Sequence, residues 1–152
     1  MAIWKGMTDR NGNAVALKSL HWEGAVNDLV LTLKTRQVYR NDASGNIEAV
    51  YTFPVSWNAV VSRFAIELDG KILTAQAMPK KQAEDRYEDA IESGDTPVML
   101  EYSRDGLCTA NLGNIQPGET VVVEIETVKI LTWDNGKVRI AVPTVIANRY
   151  SP

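Results

Sequence analysis

Hydrophobic and polar residues alternate along most of this chain, which is the pattern of strands with one buried face. Successive side chains of a strand point to opposite faces, so a period of two indicates a half-buried sheet. Each such stretch is expected to turn one apolar face toward a core. The clearest stretches are residues 29–33, 64–68, 98–102, 121–125 and 138–142.

Turn-forming residues separate these stretches. Asp69-Gly70 predicts a hairpin, because both residue types tolerate the positive φ angles of a type I′ turn. Residues 104–106 (Arg-Asp-Gly) and 134–136 (Asp-Asn-Gly) predict two further hairpins. Several short strands with regular breaks are typical of an antiparallel β-sandwich.

One segment departs from the alternation and predicts a helix over residues 79–93. Its apolar positions share one helical face, and they are Ala83, Tyr87, Ala90 and Ile91. Pro79 suits the first turn of a helix, and Gly94 suits the position just past its end. The predicted fold is therefore mainly β: an antiparallel β-sandwich with one amphipathic helix packed across a sheet through Tyr87 and Ile91.

The totals fit one folded domain, with 152 residues, 45% hydrophobic and 23% charged. We expect a single domain over residues 1–152, forming the N-terminal part of a longer protein. The net charge of -3 argues against a nucleic-acid partner. No apolar run has the length of a signal peptide or of a membrane span, so we expect no membrane insertion. A cytoplasmic location is expected for the chain as written, unless a leader was removed from its parent.

Few residues could support catalysis. His21 and Cys108 are the only residues of their types, which excludes a four-ligand Cys/His zinc site and an internal disulfide. We interpret His21 as an ordinary strand residue and Cys108 as a small buried hydrophobe. No glycine-rich loop suited to phosphate is present. We therefore predict no catalytic residues, no cofactor and no bound metal.

Acidic residues form a stripe along the predicted helix at Glu84, Glu88 and Glu92. Metal ligation needs carboxylates that converge, so we interpret the stripe as a solvated face or as a docking surface for a basic partner. Two alternatives stay open: a carboxylate-dependent hydrolase and a carbohydrate-binding sandwich. Their candidate residues are Glu84, Asp85, Glu88 and Glu101 for the hydrolase, and Trp4, Trp22, Trp57 and Trp133 for the sugar platform.

Five sequence blocks, in this order, resemble the VIT domain, which is named after vault protein and inter-alpha-trypsin inhibitor heavy chains. They are a strand ending at Phe53-Pro54, a strand into the Gly70 hairpin, the helix, two turns at Gly113-Asn114 and Pro117-Gly118, and the terminal stretch from Pro143. The resemblance covers nearly the whole chain. The matching positions are Tyr51, Phe53, Pro54, Gly70, Ala83, Tyr87, Ala90, Gly94, Gly113, Asn114, Pro117, Gly118, Pro143, Arg149 and Tyr150.

The resemblance implies a β-sandwich with one crossing helix and no catalytic residues. Because this domain usually precedes a von Willebrand factor A domain, it also implies an interaction or scaffolding module. That module would dock onto such a domain in the same chain, or onto a separate protein. The expected partner surface comprises Val145, Ile146, Arg149 and Tyr150, with Glu84, Glu88 and Glu92 as a second part. Alternatively, Val145, Ile146 and Tyr150 complete the domain's own core.

Overall fold

The computed structural model describes residues 6–55, 58–74, 85–86, 88–90, 92–93, 98–102 and 107–142. These residues form eleven strands. The strands are β1 (Met7–Asp9), β2 (Ala16–Asn27), β3 (Val30–Arg40), β4 (Ile47–Pro54), β5 (Ala59–Leu68), β6 (Lys71–Thr74), β7 (Val98–Tyr102), β8 (Leu107–Ile115), β9 (Thr120–Ile130), β10 (Trp133–Asp134) and β11 (Lys137–Val138).

Two antiparallel sheets pack together around one core. One sheet has four strands in the order β1-β4-β8-β7, and the other has five in the order β2-β3-β9-β5-β6. A small separate hairpin joins β10 to β11. The prediction of a mainly β fold with packed antiparallel sheets is confirmed.

Four aromatic rings from three strands occupy the middle of the core. Tyr39 of β3, Tyr51 and Phe53 of β4 and Phe64 of β5 are all nearly inaccessible to solvent. Their ring centroids lie 5.5 to 6.5 Å apart. These separations are typical of attractive aromatic pairs, which stabilise a core beyond the burial of their area.

Two predicted hairpin turns are confirmed. Asp69 and Gly70 join β5 to β6 with φ angles of 48° and 72°. Asn135 and Gly136 join β10 to β11 with φ angles of 48° and 77°. Positive φ at both central residues is the requirement of a type I′ turn, so the sequence predicts these turns for the correct reason. The third predicted hairpin, at residues 104–106, lies outside the described residues.

The Pro117-Gly118 turn is held by a buried asparagine at the end of β3. Gly118 has a φ of 77°, and the N–H of Glu119 donates to the carbonyl of Gln116 at 3.1 Å, as in a type II turn. The N–H of Gly118 donates to the carbonyl of Asn41 at 2.7 Å. The side-chain amide of Asn41 in turn donates to the Ile115 carbonyl at 3.0 Å. Asn41 therefore joins the end of β3 to the end of β8.

Two predicted strands have wrong boundaries. Leu29 does not belong to a strand, because Asn27 pairs with Val30 and leaves Asp28 and Leu29 as a two-residue turn. Asp28 has a φ of 53° there, which aspartate tolerates. The alternating stretch 138–142 also fails as a strand, since β11 ends at Val138 and the later apolar residues are exposed. Alternation indicates a strand only where a core covers the apolar face.

The predicted turn at Gly113-Asn114 is wrong as well. Both residues lie inside β8, at a bulge in its pairing with β4: Leu112 pairs with Ala49, whereas Ile115 pairs with Ile47. Asn114 has a φ of 54°, and Gly113 is buried. A bulge accommodates one extra residue, often in a left-handed backbone conformation. Bulges therefore favour the same residue types as turns do.

The described residues contain only a short part of the predicted helix. Helical residues are 85–86, 88–90 and 92, and Ser93 closes the last turn by donating its N–H to the Asp89 carbonyl at 3.1 Å. Its described side chains are charged and exposed except for half-buried Ala90, so they do not form a substantial amphipathic face. The predicted docking residues Tyr87 and Ile91 lie outside the described residues, as do Ala83 and Gly94. No helix in the described part is long and apolar enough to cross a membrane.

Candidate interaction surface

The hairpin of β2 and β3 is longer than the strands that face it. β2 and β3 contain 12 and 11 residues, whereas β1 and β4 contain three and eight. In the described structure, β1 bonds to residues 13–15, which precede β2. The inner face of β2 is therefore left partly uncovered: Trp22 is 38% exposed and Val26 is 50% exposed.

A groove follows from this mismatch, between the hairpin and the end of β4. Its apolar walls are Trp22, Leu31, Leu33, Phe53, Pro54 and Val142. Leu31 and Leu33 point inward because they occupy alternate positions of β3, in register with Lys129 and Thr127 of β9. Grooves with apolar walls and a few polar groups are the usual form of a binding site.

The floor of the groove is polar. Tyr39 donates its hydroxyl hydrogen to Gln37 Oε1 at 2.7 Å, and Gln37 is only 3% exposed. Tyr51 also lines the groove, but its buried hydroxyl has no hydrogen-bond partner among the described residues. Burial raises the pKa of Tyr51 well above its usual value, and the neighbouring Tyr39 raises it further. Burying a neutral donor without a partner costs about 1–3 kcal/mol. Such unsatisfied groups are more common at functional sites than elsewhere.

The opposite, outer face of the five-stranded sheet carries rows of alternating charge. One row runs Glu23, Lys34, Glu126 and Arg63 across four strands, from β2 to β5. Lys34 Nζ lies 4.0 Å from Glu126 Oε2, and Arg36 Nε lies 3.5 Å from Glu124 Oε1 in the next row. Exposed pairs of this kind contribute little stability, so this face is a solvated surface.

The sequence-predicted site residues do not form one cluster in the described structure. Glu88 and Glu92 are exposed helical residues, whereas Glu84 lies outside the described residues. The C-terminal candidates also lie outside the described residues, so their contacts with a partner stay a prediction. They are Pro143, Val145, Ile146, Arg149 and Tyr150. Within the described part, no group of three or more His, Cys, Asp or Glu side chains could hold a metal ion.

Cys108 and part of the candidate aromatic platform can be located in the described structure. Cys108 is buried, and burial raises the pKa of its thiol to about 11, which opposes thiolate formation near neutral pH. Trp22 lies in the groove, and Trp133 lies exposed on β10. Trp4 and Trp57 lie outside the described residues.

Sequence reasoning missed the groove floor. Gln37 and Tyr51 are ordinary members of alternating strands, and their sequence neighbours give no sign of a site. One signal was present: Gln37 is a polar residue at an inward position of β3, between Thr35 and Tyr39. A buried amide must find a partner, which Tyr39 supplies.

Comparison with known proteins identifies relatives across nearly the whole chain. The family profile of the Vault protein inter-alpha-trypsin domain (VIT) matches residues 17–127. The von Willebrand factor A domain-containing protein 5A of Rattus norvegicus is 34% identical over 149 residues, which cover 95% of this chain and 18% of the relative. A von Willebrand factor A domain-containing protein of Dictyostelium discoideum is 36% identical over 115 residues, covering 76% of this chain and 12% of the relative.

An enzyme is also among the similar proteins. Protein mono-ADP-ribosyltransferase PARP4 of Mus musculus is 28% identical over 145 residues, which cover 95% of this chain but 7% of the enzyme. The chain thus spans less than a fifth of the length of each of these relatives. The similarity is confined to a small part of each longer protein.

Proposed function

This chain belongs to the VIT domain family, and from that premise we propose that it is a non-catalytic interaction module. Its groove binds a neighbouring von Willebrand factor A domain, either in the same parent chain or in a separate protein. The observation that carries the proposal is the apolar groove, whose floor holds the Tyr51 hydroxyl without a partner among the described residues.

The position of the groove supports this choice of partner. Ala141 and Val142 line the groove at the last described positions of the chain. Any domain that follows in a parent protein is therefore tethered close to the groove, which raises its effective concentration there. The rat relative carries a von Willebrand factor A domain by name.

The chemistry of the groove indicates what the partner presents. An apolar side chain fits against Trp22, Leu33 and Pro54, where it replaces water on apolar surface. An acceptor of the partner would reach the Tyr51 hydroxyl, which is buried in the free domain, only after the side chains of the groove floor move apart. A donor that is satisfied only in the complex contributes affinity and specificity together, because it is unpaired in the free domain.

Two further parts of the partner surface belong to the same proposal. Val145, Ile146, Arg149 and Tyr150 follow Val142 within a few residues in the sequence and are the predicted continuation of this surface. Glu88 and Glu92 present exposed carboxylates on the helix, which suit a basic patch of the partner. Charge pairs of this kind affect the association rate more than the affinity.

Hydrogen exchange tests the proposal in the 152-residue chain and in a chain extended through a following von Willebrand factor A domain. The extension should slow exchange of the amides of residues 31–33 and of Phe53, and it should raise the unfolding temperature. Identical exchange at the groove with and without the extension contradicts the proposal.

Substitution at the groove provides the matched comparison. Leu33→Glu places a charge in the groove and should abolish the added protection, as should Tyr51→Phe, which removes only the donor. Val60→Glu is the control, because Val60 is 67% exposed on the outer face of the same sheet. If all three variants keep the protection, the partner binds elsewhere on the domain.

A further inference from the structure

The outer edge of β2 is a long strand edge without a neighbour in the described structure. β2 is the terminal strand of its sheet, is 12 residues long and contains no proline. Unpaired backbone groups on such an edge are a template for another strand. A bulge at Lys18, between Leu17 and Ser19, interrupts the edge near its start. No described strand pairs with residues 19–27 on this side.

We propose that two copies of this chain associate by antiparallel pairing of their β2 edges, about a two-fold axis at Trp22. The two five-stranded sheets then join into one continuous sheet. A two-fold contact of this kind is closed, so it produces a dimer and not a fibre. The interface goes beyond the proposed function, although Trp22, Leu31 and Leu33 border both the strand edge and the groove.

The charges of β2 are complementary to themselves in this register. His21 and Glu23 flank Trp22 and lie on the outer face, in register with Arg36 and Lys34 of β3. With Trp22 on the axis, His21 of each copy lies opposite Glu23 of the second copy. An imidazole N–H donates to a carboxylate in both of these pairs, and directly opposed cross-strand pairs are the unit of sheet stabilisation.

The neighbouring two-fold registers are less favourable. An axis at Glu23 sets two carboxylates directly opposite each other, which is destabilising. An axis at His21 places Glu23 opposite Ser19 and removes both His–Glu pairs. An axis between two residues would oppose an inner-face side chain to an outer-face one, because side chains alternate along a strand.

The inner faces also fit in the proposed register. Leu20 of one copy lies opposite Gly24 of the second copy. A Cβ at Gly24 would meet only Leu33 Cδ1 at 3.8 Å and Leu31 Cδ1 at 3.9 Å, so the glycine leaves a notch above these two leucines. Leu20 of the second copy covers that notch, and the two half-exposed Trp22 rings meet across the axis. Removing this apolar surface from water favours the dimer.

Sedimentation velocity over a range of concentrations measures the association of the 152-residue chain. His21→Glu and Glu23→Lys should each weaken it by about tenfold, because each replaces two favourable pairs with two unfavourable ones. An equimolar mixture of the two variants should recover the wild-type association. In the mixed dimer the introduced glutamate faces the introduced lysine, and the remaining native Glu23 faces the remaining native His21. Glu67→Lys, the same charge change at an exposed position of β5, should leave the association unchanged.

Cross-linking tests the register. Trp22→Cys places two thiols opposite each other on the axis, at a Cα separation of about 4.5–5.5 Å that a disulfide spans. Mild oxidation should yield a covalent dimer from Trp22→Cys and none from Val60→Cys, whose residue is exposed on the outer face. Unaltered association of both charge variants, a mixture that fails to recover association, or absence of the Trp22→Cys dimer overturns the proposal. Equal thermal unfolding of the variants shows that their folds are intact.

Discussion

Replacing Tyr51 by phenylalanine should stabilise this protein, whereas the same replacement at Tyr39 should destabilise it. The hydroxyl of Tyr51 is buried without a partner among the described residues, whereas that of Tyr39 donates to Gln37 Oε1 at 2.7 Å. The two rings contact each other at a centroid distance of 5.9 Å, so their surroundings are closely matched. Phenylalanine keeps the ring and its packing at either position.

The magnitudes follow from the state of each hydroxyl. Tyr51→Phe removes an unsatisfied buried donor and should raise the free energy of unfolding by about 1 kcal/mol. Tyr39→Phe leaves the oxygen of Gln37 without its donor and should lower that free energy by about 1–2 kcal/mol. For a domain of this size, each kcal/mol shifts the unfolding temperature by about 2–4 °C.

Urea denaturation and calorimetry of the two variants measure this difference. The urea midpoints should move in opposite directions. The m-value, the slope of the unfolding free energy against urea concentration, should not change, because the surface exposed on unfolding is the same. A Tyr51→Phe variant as destabilised as Tyr39→Phe would show that the Tyr51 hydroxyl is satisfied in the free domain. A role for that hydroxyl in binding at the groove would then be excluded.

Asn41→Ala should lower the free energy of unfolding by about 3 kcal/mol in urea denaturation. The side-chain N–H groups of Asn41 donate to the carbonyls of Gly45 and Ile115, and its side-chain oxygen accepts from the Ala43 N–H, so all three hydrogen bonds are lost. Gly118→Ala should lower the free energy of unfolding by about 1 kcal/mol, since Gly118 has a φ of 77°. Gly45→Ala should be neutral or slightly stabilising. Equal losses in the two variants would contradict the assigned turn. Stability should fall above pH 9, because burial raises the pKa of Cys108 from 9.0 to about 11 and the unfolded chain loses that proton first. Urea midpoints between about pH 8 and 10.5 measure the fall, which Cys108→Ala should reduce. A chelator should leave the unfolding temperature unchanged, and a clear decrease would show a structural metal.

The accuracy of the sequence predictions depends on how local each feature is. Turns such as Asp69-Gly70 depend on the conformational preferences of two residues, and they were predicted correctly. The same residue types mark bulges, so Gly113-Asn114 was misassigned until its register with β4 was known. The alternation at 138–142 was misread for a related reason: a period of two does not reveal whether a second layer covers the apolar face.

The sequence by itself determined the family, the mainly β character and the inward faces of β3, β5 and β9. These properties come from side-chain period and backbone preference, which act within a few residues. Only the tertiary structure decided that β3 lies between β2 and β9, and hence that β2 is left at an edge. It also decided that the β2–β3 hairpin extends past β4, which creates the groove and brings Gln37 and Tyr51 into its floor. Strand pairing depends on which distant segments bury their apolar faces together, so no local pattern in the chain could specify either surface.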